Sequence, residues 1–126
     1  MASDPSSKRT VLLIDDDEAI RMTLRFILED HGYQVEEAGD GLEGLTLIES
    51  GHKPDLIILD LMMPRMDGWE FSQRYHERVH EKDESPAPIV VISAFRDRPM
   101  PTTAVAVLPK PFTMSSILEI IRRFAP

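Results

Sequence analysis

The chain has 126 residues, enough for one domain with a sizeable core, and its 42% hydrophobic and 29% charged residues are ordinary for a globular protein. A formal net charge of −8 argues against direct binding of nucleic acid, and the absence of cysteine excludes disulfides and thiolate metal sites. No apolar run approaches the roughly 18–20 residues that span a bilayer and no signal-peptide core is present, so we expect a cytoplasmic protein without membrane insertion.

The first predicted elements are a leader, a strand and a helix. Residues 1–8 (MASDPSSK) are small and polar and are expected to form a disordered leader. Residues 9–14 predict a short apolar strand that runs directly into four acids. A helix follows and stops at Gly32, because apolar residues recur at helical spacing: Ile20, Leu24, Ile27 and Leu28.

The four acids are Asp15, Asp16, Asp17 and Glu18. Carboxylates in a first helical turn complement the helix dipole, which accounts for Asp17 and Glu18 as helix-start residues. Asp15 and Asp16 stand instead at the carboxyl end of the strand, where adjacent like charges repel. These two residues are therefore candidates for a functional site.

A second strand and helix come next. Residues 33–38 alternate loosely, and the polar residues among them place this strand near a sheet edge: Gln34, Glu36 and Glu37. Asp40 can cap a helix with a predicted apolar face of three residues: Leu42, Leu45 and Ile48.

Residues 56–59 are an unbroken apolar run, which suits a strand buried on both faces of a parallel sheet. The strand ends at Asp60, and Pro64 and Gly68 shape the loop that follows. Ligands of open α/β sheets bind at the carboxyl ends of strands, so Asp60 is a candidate for chemistry. The alternative is that Asp60 only ends the strand as a turn residue.

The rest of the chain predicts two strands and two helices. Asp67 caps a helix with three candidates for burial: Trp69, Tyr75 and Val79. Residues 89–92 predict a strand that ends at Ser93, and residues 105–108 predict one that ends near Lys110. Thr113 caps a last helix with one apolar face: Ile117, Ile120, Ile121 and Phe124.

Strands and helices alternate, which predicts an α/β fold with a parallel sheet and helices on both faces. Right-handed crossovers place every strand's carboxyl end on one rim, which gathers five polar residues: Asp15, Asp16, Asp60, Ser93 and Lys110. Carboxylates gathered there repel unless a cation joins them, and Mg²⁺ prefers such oxygen ligands. An acid surrounded by a metal, a lysine and a hydroxyl suits phosphoryl transfer to that acid.

Four motifs in this order resemble a response-regulator receiver domain of the CheY-like, two-component type: Asp15-Asp16, residues 60–68 (DLMMPRMDG), Ser93-Ala94 and Lys110-Pro111-Phe112. The resemblance covers about residues 8–125, and the receiver domain is expected over 9–125. It implies a doubly wound, flavodoxin-like, five-stranded parallel sheet with strand order 2-1-3-4-5.

The resemblance also implies a role for each site residue. Asp60 would be the phosphoacceptor, receiving its phosphoryl group from a sensor histidine kinase or a His-phosphotransfer protein and signalling to a downstream protein target. The protein would thus catalyse only its own phosphorylation and dephosphorylation. Ser93 would follow the phosphoryl group, Lys110 would pair with Asp60 or its phosphate, and the Lys110–Pro111 bond would often be cis. Mg²⁺ would be bound directly by Asp16 and Asp60, with Asp15 close to it or bridging through water and Met62 contributing its backbone carbonyl.

Two features depart from the family. Only about ten residues separate Ser93 from Val105, whereas a parallel crossover usually needs about a dozen or more. Pro99 and Pro101 also disfavour helical angles in the residues before them, so the family's fourth helix is expected to be an extended loop or one turn. Val107 stands where many receivers carry an aromatic switch residue, so any response is expected to use loop reordering or a different face.

Two other functions compete with this prediction. A degenerate receiver could act as a protein-interaction module without phosphorylation. A phosphatase of the haloacid dehalogenase type also uses an Asp nucleophile with Mg²⁺, but it needs a second Asp where this chain has Met62. The chain ends at Pro126, just past the last predicted helix, so no output domain is expected within it.

Overall fold

The computed structural model describes residues 8–94 and 99–126, so the predicted leader lies, apart from Lys8, outside the described residues. Within these described residues, five strands and four helices follow one another: β1 (Thr10–Ile14), α1 (Glu18–Asp30), β2 (Gln34–Ala38), α2 (Gly41–Glu49), β3 (Leu56–Asp60), α3 (Gly68–Glu81), β4 (Ile89–Ser93), β5 (Ala104–Pro109) and α4 (Met114–Phe124).

The strands form one parallel sheet in the order β2-β1-β3-β4-β5, which confirms the predicted fold class. Every residue of β3 and β4 is buried, as expected for apolar runs covered on both faces. β2 lies at a sheet edge and keeps its polar residues exposed or half-buried, as its sequence predicts.

Two apolar clusters cover the two faces of the sheet. α2 and α3 pack on one face, where Phe71 and Tyr75 meet Leu12 and Leu59. α1 and α4 pack on the other, and their buried residues face Val11, Leu13 and Val90: Leu24, Ile27, Leu28, Ile117 and Ile121. Each fully buried side chain of this kind contributes about 1.5–3 kcal/mol by leaving water. Among the described residues, no helix is long and apolar enough to cross a membrane.

Polar caps begin all four helices, at the positions that the sequence indicates. Asp17, Asp40, Asp67 and Thr113 each accept a hydrogen bond from a backbone N–H in the first turn. Such caps satisfy donors that a helix start leaves without an intrahelical partner. The caps therefore fix where each strand-to-helix loop ends.

Two predictions of burial differ from the structure. Leu42, predicted to lie on the buried face of α2, is 43% exposed, whereas the α2 residues Gly41 and Gly44 are buried. Trp69 is only half-buried, since it lies at the start of α3, and Phe71 is the fully buried aromatic residue of that helix. The error at Leu42 has a physical cause. The small Gly41 and Gly44 let their side of α2 pack closely against Met66, Ile14 and Phe71, and Leu42 is left facing water.

The connection between β4 and β5 contains no helix in its described residues, 94 and 99–103, and residues 95–98 lie outside the described part. Residues 99–103 are held against α3: the Trp69 indole N–H donates to the Pro99 carbonyl oxygen at 2.8 Å, and the Ser72 and Thr103 hydroxyls form a hydrogen bond. Val107, at the expected switch position, is 44% exposed on the face of the sheet that α2 and α3 cover elsewhere.

The contrast between Phe71 and Phe26 gives a test of this core. We expect Phe71→Ala to lower the free energy of unfolding by about 3–5 kcal/mol, because the ring has no exposure and its loss leaves a cavity. Phe26→Ala is the matched control, since that ring is 73% exposed, and its cost should stay within about 0.5 kcal/mol. Urea unfolding followed by circular dichroism measures both, and equal costs would contradict this packing.

Candidate functional site

Three carboxylates meet at the carboxyl-end rim of the sheet. β1 and β3 are neighbours, and Ile14 pairs with Leu59, so Asp15 and Asp60 follow side by side. One carboxylate oxygen from each of Asp15, Asp16 and Asp60 lies within 4.8 Å of the others. Asp15 and Asp60 are buried, whereas Asp16 is exposed.

Lys110, at the end of β5, reaches the two buried acids. Its Nζ lies 3.0 Å from Asp15 Oδ2 and 3.5 Å from Asp60 Oδ2. Burial would lower the pKa of Lys110, but the hydrogen bond to Asp15 and the charges of both acids outweigh it and raise that pKa. Lys110 is therefore a fixed positive charge at the rim. The peptide bond between Lys110 and Pro111 is cis.

Ser93 ends β4 between the strands that carry Asp60 and Lys110. Its side chain is buried, and its carbonyl oxygen accepts a hydrogen bond of 3.2 Å from the backbone N–H of Lys110. The rim thus holds all five of the residues that the sequence places there, on four strand ends.

Asp60 is a weakened acid. Burial, followed by the neighbouring charge of Asp15, raises its pKa from 3.8 to about 6, and Lys110 only partly opposes this. A shift of this size corresponds to about 3 kcal/mol between the two protonation states. Three acids and one ammonium leave an excess of negative charge at the rim.

Hydrogen bonds direct the two buried carboxylates. Asp15 Oδ1 accepts from the Asp17 N–H at 2.9 Å, and Asp60 Oδ1 accepts from the Leu61 N–H at 2.9 Å. In both residues Oδ2 is the oxygen that faces Lys110. Each acid is therefore oriented by backbone on one oxygen while the other points into the cluster.

Arg21 supports the acid cluster from α1, a role that the sequence reasoning missed. Its Nη1 donates to the Asp15 carbonyl oxygen at 2.6 Å, and its Nε pairs with Glu37 of β2 at 3.1 Å. A basic residue one helical turn after the cap Asp17 was the available signal. Arg21 ties the end of β1 to the neighbouring strand.

The loop after Asp60 requires glycine at its far end. A Cβ on Gly68 would lie 2.5 Å from the Asp60 carbonyl oxygen and 2.8 Å from the Leu61 Cα, so no larger residue fits without backbone movement. The Gly68 N–H donates to the Leu61 carbonyl oxygen at 2.9 Å. The loop that carries Met62, whose side chain is 54% exposed, therefore returns tightly to the end of β3.

The donor set at the rim suits a hard divalent cation. All three side-chain donors are carboxylate oxygens, and one neighbouring ammonium cannot balance their charge. Mg²⁺ is commonly bound by one or two carboxylates with further oxygen ligands. The residues present thus fit the magnesium site that the sequence predicts.

An open groove of about 540 Å³ adjoins the rim. Its lining is mostly apolar and belongs to the start of α1 and to the loops after β4 and β5: Ala19, Ile20, Thr23, Ala94, Lys110, Pro111 and Phe112. Two large apolar side chains of α1, Met22 and Phe26, are 64% and 73% exposed on the helix beside it. A mostly apolar surface thus lies beside Lys110 at the rim.

Comparisons of sequence identify relatives over nearly the whole chain. The sequence model of one family, the response regulator receiver domain, matches residues 11–122. The transcriptional regulatory protein PdtaR of Mycobacterium tuberculosis is 40% identical over 126 residues, covering 94% of this chain and 58% of PdtaR. The response regulator MprA of a Mycobacterium species is 37% identical over 125 residues, covering 92% and 52%. The chain spans about half the length of these curated relatives.

Solved structures share the fold. The chemotaxis protein CheY4 of Vibrio cholerae superposes with a TM-score of 0.79 at 30% identity, covering 94% of this chain and 99% of CheY4. The response regulator TrrA of Thermotoga maritima, solved in complex with Mg²⁺–BeF, has a TM-score of 0.78 at 28% identity, covering 92% and 98%.

The raised pKa of Asp60 makes a prediction for metal-free protein. Above about pH 6 the ionised carboxylate of Asp60 lowers the free energy of unfolding of the protein. This destabilisation decreases as the pH falls from about 6 towards 3.8. We therefore expect Asp60→Asn to raise the free energy of unfolding by roughly 1–2 kcal/mol at about pH 7.5, and by about half as much near pH 5.

Urea unfolding in EDTA at the two pH values measures this effect. Asp67→Asn is the control, because asparagine also caps helices and Asp67 lies in the same loop without contributing to the acid cluster. A destabilised Asp60→Asn protein, or a gain that does not depend on pH, would show that the charge of Asp60 is not costly.

Proposed function

The chain belongs to the response regulator receiver family, and on that premise we propose that Asp60 accepts a phosphoryl group and signals its presence to a partner protein. The observation that supports this most directly is the position of Asp60, a buried strand-end carboxylate with Lys110 and two further acids around it. Receivers are signalling modules rather than classical enzymes. The chemistry proposed here is the protein's own phosphorylation and dephosphorylation.

We propose that Mg²⁺ is held by the three clustered carboxylates and by the backbone carbonyl of Met62. The side-chain donors fit in number, type and charge, and a similar protein, TrrA, has been solved with Mg²⁺–BeF. When bound, the cation offsets the negative charge of the acids and of the incoming phosphoryl oxygens. Asp15 and Asp16 would supply ligands that leave one Asp60 oxygen available for reaction.

The step itself is a displacement at phosphorus. An oxygen of ionised Asp60 forms a bond to phosphorus while the bond from phosphorus to the donor imidazole nitrogen breaks, and the electron pair goes to that nitrogen. The Lys110 ammonium, 3.5 Å from Asp60, is placed to stabilise charge on the transferred group. The Ser93 hydroxyl can donate a hydrogen bond to the same group.

The donor is proposed to be a sensor histidine kinase or a His-phosphotransfer protein. The groove beside Lys110 is mostly apolar, and Met22 and Phe26 on α1 are exposed, which suits a helix of the donor lying across α1. Contact there would bring a phosphohistidine to the rim. A small phosphodonor would not need this surface.

The first test is phosphorylation by a small phosphodonor such as phosphoramidate with Mg²⁺, followed by intact mass. We expect one phosphoryl adduct on the wild-type protein and none on Asp60→Asn, because asparagine cannot form the acyl phosphate. Asp67→Asn is the matched control and should keep the adduct.

Three outcomes separate the functions. An adduct that survives in Asp60→Asn would assign the acceptor to another residue. A wild-type protein that takes no adduct from the small donor, and no beryllofluoride either, would favour the protein-interaction module. Steady release of inorganic phosphate from many phosphomonoesters would favour the phosphatase.

The second test separates docking from chemistry. We expect Phe26→Ala to slow phosphoryl transfer from a phosphorylated His-phosphotransfer protein by roughly tenfold, because exposed aromatic residues often dominate such interfaces. Phosphorylation by phosphoramidate should be unchanged in the same variant. An equal loss with both donors would contradict a docking role for α1.

A further inference from the structure

The loop of residues 61–67, which follows the phosphoacceptor, is attached to the start of α2. The Gly41 N–H donates to the Met66 carbonyl oxygen at 3.0 Å, and a Cβ on Gly41 would lie 2.7 Å from that oxygen. The absence of a side chain at Gly41 thus lets the two segments come into backbone contact. Neither Gly41 nor Met66 is itself a proposed metal ligand.

A second contact between the same segments is an ion pair. Nε and Nη2 of Arg65 both lie 2.6 Å from Asp40 Oδ2, while Asp40 Oδ1 accepts from the Glu43 N–H at 2.9 Å. The Asp40 side chain is only 6% exposed and both of its oxygens have partners, while the Arg65 side chain remains 61% exposed. Burial favours the neutral acid, but the bonds from Glu43 and Arg65 outweigh it and lower the pKa of Asp40.

The backbone of Arg65 adopts a conformation that arginine rarely takes. Its φ is +64°, in the left-handed region that favours glycine. Such backbone strain persists only where surrounding contacts hold it in place. The pair with Asp40 is a contact that does so, and glycine at this position would relax the strain while removing the ion pair.

We propose that the Asp40–Arg65 ion pair is a positioning element of the magnesium site, which fixes the loop so that it presents the Met62 carbonyl to the rim. Met62 is three residues before Arg65 and two after Asp60, so the pair anchors the loop close to the proposed backbone ligand. This inference rests on the proposed function, because it concerns the metal of the same site. Neither Asp40 nor Arg65 touches the metal in this arrangement.

The test is metal affinity measured without any phosphorylation. Mn²⁺ is the probe, because electron paramagnetic resonance counts the free ion directly, and Mg²⁺ is added as competitor. We expect Asp40→Asn, which keeps the helix cap, and Arg65→Gly, which tolerates the backbone conformation, each to weaken Mn²⁺ and Mg²⁺ binding by roughly tenfold. The double variant should bind no more weakly than the weaker single variant, because both changes break one interaction.

Arg78→Ala is the matched control. Arg78 also joins α3 to α2, through Glu49 at 2.5 Å, but at the end of these helices far from the rim. It should keep wild-type affinity for both ions, and thermal unfolding in EDTA shows separately whether each variant is folded.

Two outcomes overturn the inference in different ways. If the Asp40 and Arg65 variants lose stability but keep wild-type affinity, the pair is only structural and the proposed function stands. If the wild-type protein binds neither Mn²⁺ nor Mg²⁺, the magnesium site itself is wrong, and the positioning role falls with it.

Discussion

The Lys110 ammonium contacts the buried carboxylates of Asp15 and Asp60, and this contact sets the charge balance of the rim. Parallel strands bring these groups to one rim even where their charges repel, because every crossover returns the chain in the same direction. Lys110 lowers the pKa of Asp60, but burial first and then the charge of Asp15 outweigh it, so that pKa stays raised. The protein therefore keeps at its rim a charge imbalance that a cation can relieve, and this imbalance is the physical basis of the proposed chemistry.

Such an arrangement needs rigid support, and the neighbouring segments provide it. Arg21 holds the Asp15 carbonyl from α1, Gly68 lets α3 begin against the end of β3, and Arg65 ties the intervening loop to α2. Each of the three contacts joins one segment of the chain to another, and all lie within a few residues of a carboxylate of the cluster or of its loop. Support around a charged site limits the movement by which the acids could separate and reduce their repulsion.

The sheet and the rim could be predicted from the sequence because their signals are local. The apolar run before Asp60 and the acids after Ile14 determine strand ends, and strand ends determine the rim. What could not be predicted depends on the approach of one element to another. Leu42 is exposed because of how closely α2 packs, and the pairing of Arg21 with Glu37 joins residues on different elements, which helical spacing does not reveal. The same holds for Phe71, since the pattern of α3 alone does not say which of its aromatic residues faces the sheet.

The hydrogen bond from Trp69 to the Pro99 carbonyl oxygen has a practical consequence. Trp69 is the only tryptophan in the chain, and it is half-buried at the start of α3, one residue after Gly68. Its indole emission therefore originates from a single site between the loop after Asp60 and residues 99–103. The fluorescence lifetime of Trp69 can therefore report changes where those two segments meet, without an attached dye.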